Sequence, residues 1–259
     1  MAFKENGPVL FLAALRAEHF ALARGLGYSG PPARCGELLA VSSAGKDFLS
    51  LHTGMGLDPT RRVLNAILTD HSFRAILHTG YCGALTDSLH TADVVLYEDC
   101  LAVDPERSAD GDAPGFLPDE RLFSRFRARL DAWEGGAHLG RGLTVPRIVG
   151  RREEKVRLAQ QWQAISVDME SAAVLECAAR HRIPCAVARI VLDTCEQDLP
   201  DFSGWTTTEG SLNLSLPGMI QAVSRFQPAA FQRWRQSERM ARQALESLGR
   251  LWRTWSDAG

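Results

Sequence analysis

No stretch of this sequence approaches the ~18 consecutive apolar residues that a membrane-spanning helix needs. The apolar run Val9–Leu15, behind an opening Met1–Pro8 with charges of both signs, is too brief for a secretory leader with its cleavage site. No CxxC pair occurs among Cys35, Cys82, Cys100, Cys177, Cys185 and Cys195, and no Cys/His cluster has zinc-site spacing. Reduced thiols in a cytoplasmic protein, with no metal, are the expectation. An excess of one charge is also missing: 29 basic residues face 31 acidic ones, a net charge of −2. Nothing therefore drives the whole chain toward nucleic acid or an anionic membrane. Repeats and low-complexity tracts are absent, and a composition that is 45% apolar and 23% charged excludes wholesale disorder. A dinucleotide fingerprint is excluded because Pro59 stands where its last glycine belongs, and no Gly-Lys-Ser/Thr completes a Walker A loop.

What is present is an alternation of strand-like and helix-like segments over 259 residues. Val9–Ala14 reads as a strand buried on both faces, and 16–24 as a helix stopped by Gly25. Short strands are expected at 38–41 and 48–51, around a Ser-Ala-Gly turn, followed by a helix that opens near Pro59 and runs to about Thr69. Strands follow at 73–77, 94–96, 143–145, 165–167 and 184–192, with helices at 151–161 and 169–181. Residues 105–120 read as a surface loop and 198–217 as irregular. A long helix from Phe231 to about Trp255 spaces Ala241, Leu245, Leu248, Trp252 and Trp255 on one face, to cover the core or an interface, with the core favoured. Its mixture of Arg and Trp also suits a membrane surface. The expectation is one α/β domain over 1–259, with a central mixed, mainly parallel twisted sheet flanked by helices and 225–257 as a C-terminal helical extension.

In such folds ligands lie beyond the carboxyl ends of the strands. There the sequence places Glu18, then His52-Thr-Gly-Met-Gly56, then His78-Thr-Gly-Tyr-Cys-Gly83, then Asp168-Met-Glu170, and finally Asp193. The glycine pairs are tight turns or loops whose N–H groups approach a ligand oxygen. Read singly, Glu18 is an exposed helix residue, Asp168 an N-cap, Met169 a core residue and Glu170 an acid at a helix start. Read together, the acids divide the work of glycosidic cleavage: one clamps a sugar diol, one activates a nucleophile and one, with a raised pKa, protonates a leaving group.

Val167-Asp-Met-Glu-Ser-Ala-Ala-Val174, then Ile183-Pro184, then Arg189-Ile-Val-Leu-Asp193, with the glycine pairs at Gly54-Met-Gly56 and Thr79–Leu85, resembles the nucleoside phosphorylase and nucleosidase superfamily. That superfamily includes purine nucleoside phosphorylases, methylthioadenosine/adenosylhomocysteine nucleosidases and futalosine hydrolases. The tail from Asp198 is most similar to the hopanoid-associated phosphorylase group. The resemblance implies that Asp193 serves the purine N7 and that Glu18 activates water. It implies that Glu170 binds the ribose 2′ and 3′ hydroxyls, Met169 packs on the ribose, and Gly54, Met55 and Gly56 line the nucleophile side. Gly80, Tyr81, Asp168 and His78 complete the expected binding set. The reaction implied is cleavage of the N-ribosyl bond of a purine-type nucleoside, either plain or 5′-modified, with water favoured. The alternatives are phosphorolysis to ribose 1-phosphate, from a nucleoside or a hopanoid-linked adenosyl substrate, and a non-catalytic nucleoside-binding module. No cofactor is implied beyond inorganic phosphate as co-substrate for phosphorolysis; the partner is a small-molecule nucleoside, not nucleic acid, and a homo-oligomer is expected. Three departures stand out: His78 replaces the phosphate-holding Arg of family phosphorylases, Leu192 replaces the usual Ser before the acid, and no aromatic lies near Arg147, where nucleosidases stack adenine. Tyr81 stands where the phosphorylases often have Ser, and Arg61 and Arg62 are the nearest cations for a phosphate.

Overall fold

The structure, a computed structural model, describes residues 7–28, 33–35, 38–42, 48–105, 113–199 and 228–253. The Ser-Ala-Gly turn, Trp255, the thiol of Cys35 and most of 198–217 lie outside the described residues. Among the described residues, eleven strands form one sheet in the order β2-β3-β4-β1-β5-β11-β6-β10-β9-β7-β8. They are β1 Val9–Ala13, β2 Ala33–Cys35, β3 Leu38–Ser42, β4 Phe48–His52, β5 Ala75–His78, β6 Tyr81–Ala84, β7 Val94–Ala102, β8 Gly115–Phe116, β9 Ala137–Thr144, β10 Ser166–Asp168 and β11 Cys185–Asp193. The sheet is mixed. β1 runs parallel to β4 and β5, β11 parallel to β5 and β6, and β9 parallel to β7 and β10. β10 runs antiparallel to β6. β11 also pairs antiparallel with β7, so β11, β6, β10, β9 and β7 close into a ring.

Among the described residues six helices cover it: α1 Arg16–Gly25, α2 Leu57–Asp70, α3 Glu120–Leu130, α4 Arg152–Trp162, α5 Ser171–His181 and α6 Pro228–Arg253. The continuous apolar runs follow from burial of both faces of the sheet. Leu10, Leu12 and Ile76 pack toward Leu64 of α2 and Val174 of α5. Val9, Phe11 and Leu77 pack toward Leu22 of α1, Phe126 of α3 and Leu245 of α6. The long helix covers this core: Ala241, Leu245, Leu248 and Trp252 are buried along its inner face.

Two features depart from the expectation. Residues 120–130, beyond the expected loop, form α3, capped by the Asp119 carboxylate, which accepts from the Leu122 N–H at 2.9 Å. The stretch Thr79–Gly83 is a loop only at its start. Gly80, at φ +130°, makes a turn that side-chain-bearing residues rarely adopt. The chain then continues as β6, held between β10 and β11.

Candidate active site

A cavity of about 420 Å³ opens where the carboxyl ends of β1, β10 and β11 meet the start of β6. Glu18, Met55, Tyr81, Asp168, Met169, Glu170 and Asp193 line it, seven of the eleven expected site residues. Gly54, Gly56, Gly80 and His78 do not; they lie behind the wall and hold it. The Gly54 N–H donates to Ala14 O, fastening the end of β4 to that of β1. The Gly56 N–H donates to Glu170 Oε1 at 2.9 Å.

Glu18 is not an exposed helix residue. It lies in the first turn of α1, is 2% exposed, and turns back over the end of β1. Its carboxylate accepts three backbone N–H groups, from Ala14 at 3.0 Å, Leu15 at 2.7 Å and Tyr81 at 2.8 Å. Burial pushes its pKa up; Arg189 and the backbone donors pull the other way without cancelling it. A Cβ on Gly80 would sit 3.0 Å from Glu18 Oε2 and 3.1 Å from Arg189 Nη1, so the glycine lets strand, acid and guanidinium meet.

Arg189 is the hub of this end. It is 1% exposed and donates to Glu170 Oε2 at 2.8 Å and Thr79 O at 3.0 Å, and its Nε lies 3.3 Å from Asp168 Oδ2. It also donates to His78 Nε2 at 2.8 Å. Burial, then the Arg189 charge, holds the His78 pKa near 3, so the imidazole is neutral and accepts through Nε2. The lone guanidinium cannot neutralise every carboxyl around it. Asp168 has most partners: Tyr97 Oη, Thr144 Oγ1 and Ser171 Oγ, together with the Glu170 and Ser171 N–H groups. Although burial works against its charge, Arg189 and the hydroxyl donors hold its pKa below the usual carboxylate range. Asp168 is not the N-cap of α5, a position that falls to Glu170; from two residues earlier its carboxylate accepts the Glu170 and Ser171 N–H groups and braces Arg189. Glu170 is left with burial as its main influence, which raises its pKa from 4.5 to about 7 against the pull of Arg189.

At the other end, Asp193 is 5% exposed at the tip of β11. Leu192 forms a bulge there: Val191 pairs with Cys82 and Asp193 with the next residue, Gly83. A bulge re-aims the side chain that follows it. A Cβ on Gly83 would meet Asp193 Oδ2 at 3.1 Å and Oδ1 at 3.4 Å, so the carboxyl lies flat against the β6 backbone. Burial raises its pKa, and Lys155 of α4 opposes the shift. Lys155 is fully buried and reaches Asp193 Oδ2 at 2.6 Å.

Sequence reasoning missed Lys155, because a lysine in a helix reads as solvated, and it gave Arg189 only a place in a motif. It also missed the rim residues Trp234, Arg235, Glu238 and Arg242, which α6 brings to the cavity from far along the chain. Arg61 instead pairs with Glu176 at 2.9 Å and with Asp58; neither it nor Arg62 lines the cavity. Among the described residues no cluster of His, Cys, Asp and Glu suits a metal, and no helix is long and apolar enough to cross a membrane.

The model of the Phosphorylase superfamily matches residues 13–216, and the chain belongs to that superfamily of enzymes. It is 22% identical over 157 residues to a 5′-methylthioadenosine/S-adenosylhomocysteine nucleosidase of Staphylococcus haemolyticus, covering 57% of this chain and 69% of that one. It is 23% identical over 202 residues to an aminodeoxyfutalosine nucleosidase of Helicobacter pylori, covering 75% and 83%. Among solved structures, the 5′-methylthioadenosine/S-adenosylhomocysteine nucleosidase of Neisseria meningitidis in complex with methylthio-immucillin-A shares the fold with a TM-score of 0.71 at 17% identity over 96% of this chain and 100% of that one. The Helicobacter pylori enzyme of the same name, with butyl-thio-DADMe-Immucillin-A, gives 0.70 at 15% identity over 96% and 98%.

Proposed function

We propose that this protein hydrolyses the N-ribosyl bond of an adenosine-type nucleoside modified at its 5′ carbon. The observation that carries the choice of water over phosphate is the setting of Glu18. The N–H groups of Ala14, Leu15 and Tyr81 converge as an anion cradle, and the cradle is filled by this chain's own carboxylate. A phosphate would lose those donors and meet a negative charge. His78, where phosphorylases carry arginine, is neutral. The rim cations are also committed: Arg147 makes two hydrogen bonds to Glu154, at 2.6 and 3.1 Å, and Arg242 faces Glu238 at 3.8 Å.

In this reading Glu170, with Arg189 behind it, accepts from the ribose diol, and Met169 packs on the sugar. The protonated Asp193 gives its proton to the purine N7. The C1′–N9 bond breaks and its electron pair goes to the base. Water adds its oxygen to C1′ and passes its proton to Glu18, whose raised pKa makes it the stronger base. Trp234, lining the same cavity from α6, offers the aromatic face that the segment around Arg147 lacks. The nucleosidase names of the relatives support this reading.

The test is a product assay with 5′-methylthioadenosine, S-adenosylhomocysteine, aminodeoxyfutalosine and unmodified purine nucleosides, each with and without phosphate. Free base and free ribose derivative at equal rates in both conditions are expected. A ribose 1-phosphate formed only with phosphate overturns hydrolysis in favour of phosphorolysis, and binding without release of base makes the protein a binding module.

A further inference from the structure

Lys155 is buried at 0% exposure beside the reacting end of the cavity, and taking an ammonium out of water costs several kcal/mol unless it is well paired. Its pairing is complete. Nζ donates to Asp193 Oδ2 at 2.6 Å, to Thr194 O at 2.8 Å and to Gln197 O at 2.9 Å, which uses all three of its protons. The position is early in α4, on the turn that follows Arg151. The loop after β11 closes over it, fixed by the Leu199 N–H to Gly150 O and the Arg152 N–H to Asp198. Leu192, the residue before Asp193, has no hydroxyl to orient the acid.

We propose that Lys155 is a positioning residue for Asp193, fixing the carboxyl through Oδ2 so that Oδ1 carries the proton delivered to the departing base. An ammonium has donors and no acceptor, so the oxygen it binds cannot hold the proton; the proton must sit on Oδ1. The same contact acts on the rate. In that role the acid enters the reaction protonated, the form that its burial favours. As the O–H bond breaks and the N7–H bond forms, negative charge develops on the carboxyl 2.6 Å from a fixed ammonium. The attraction is therefore stronger in the transition state than in the ground state, the condition for an interaction to raise kcat. Gly83 and the Cys82 thiol of β6 also neighbour this carboxyl, the thiol held neutral by burial. Among the described residues, the ammonium is the cation that sets the acid's charge balance.

The inference rests on the reading of Asp193 as the leaving-group acid, and the experiment separates the two. Wild type, Lys155→Met and Lys155→Gln are compared on an adenosine-type nucleoside and on p-nitrophenyl β-D-ribofuranoside, whose leaving group departs as an anion without a proton. Expected is a fall in kcat of about 10²-fold on the nucleoside for Lys155→Met, the scale of general-acid catalysis, with KM nearly unchanged and little change in kcat on the nitrophenyl riboside. Lys155→Gln keeps a donor for Oδ2 without the charge. It retains the packing should Lys155→Met fail to fold, and it shows the same split with a smaller fall. Equal losses on both substrates, or no loss on either, overturn the positioning role. A wild type that cleaves neither substrate overturns the hydrolase reading itself.

Discussion

At one end of the cavity a single guanidinium, Arg189, faces Asp168 and Glu170 directly, with Glu18 close behind. At the other a single ammonium, Lys155, faces Asp193 alone. Both cations are buried, and both acids expected to move protons are tied to protein donors. The balance of charge differs, however. The crowded end has more carboxyls than cations and settles unevenly: Asp168 takes most of the donors and stays ionised, while burial pushes Glu170 and Glu18 up. The sparse end has one acid and one cation, and there burial outweighs the pairing. A shared cation thus gives acids of graded strength, whereas a dedicated one gives a single acid in a fixed orientation.

The largest effect should come from the sparse end. Asp193→Asn keeps the shape but has no proton to deliver, and kcat on a purine nucleoside should fall by about 10²–10⁴-fold, the range of general acid–base catalysis. Steady-state kinetics check it; a loss under tenfold would place the leaving-group acid elsewhere. At the crowded end the first casualty is the fold. Arg189→Met leaves Asp168 and Glu170 buried without their cation, which should cost about 3–5 kcal/mol in denaturant unfolding. A much smaller loss would mean that the hydroxyl and N–H donors around Asp168 suffice.

The difference in charge balance also sets a pH dependence. Glu170, raised to about 7, is increasingly neutral below that pH and then loses acceptors for the ribose hydroxyls. KM should rise as pH falls from 8 to 6, approaching about tenfold per unit well below the pKa if only the ionised form binds. Stability runs the opposite way. A folded-state pKa above the ordinary value favours the protonated protein, so the contribution is full below about 4.5 and is lost as pH rises through about 7. Glu18 and Asp193 are shifted in the same direction. Thermal unfolding at pH 5 and pH 8 should show the lower Tm at pH 8, and Glu170→Gln should flatten the slope.

The strand-end acids were legible because their spacing follows the alternation of strand and helix: each follows an apolar run that had to be buried. The carboxyl ends of β1, β10 and β11 are where the sequence placed Glu18, Asp168, Glu170 and Asp193. What hid was whatever depends on partners remote in sequence. Lys155 pairs with a residue 38 positions away, and nothing in the segment around it distinguishes it from a surface lysine. Gly80 and Gly83 read as a loop because β6 is short and lies between strands that arrive much later, β10 and β11. One omission had a local signal: Asp119, followed by Leu122, Phe126 and Leu130, marks a capped amphipathic α3.

The smallest expected effect lies at the rim and tests whether pairing alone gives a charged residue weight here. Arg147 meets Glu154 with two hydrogen bonds, as close a contact as that of Lys155 with Asp193, yet its side chain is 45% exposed. Water already solvates that guanidinium, so the pair gains little over its separated partners, and Glu154→Gln should change stability by less than about 1 kcal/mol. Arg147 also lines the cavity. Because that guanidinium is already solvated, the same variant should leave the rate of hydrolysis unchanged. A large loss of stability would show that burial is not what separates the rim pair from the two inner ones.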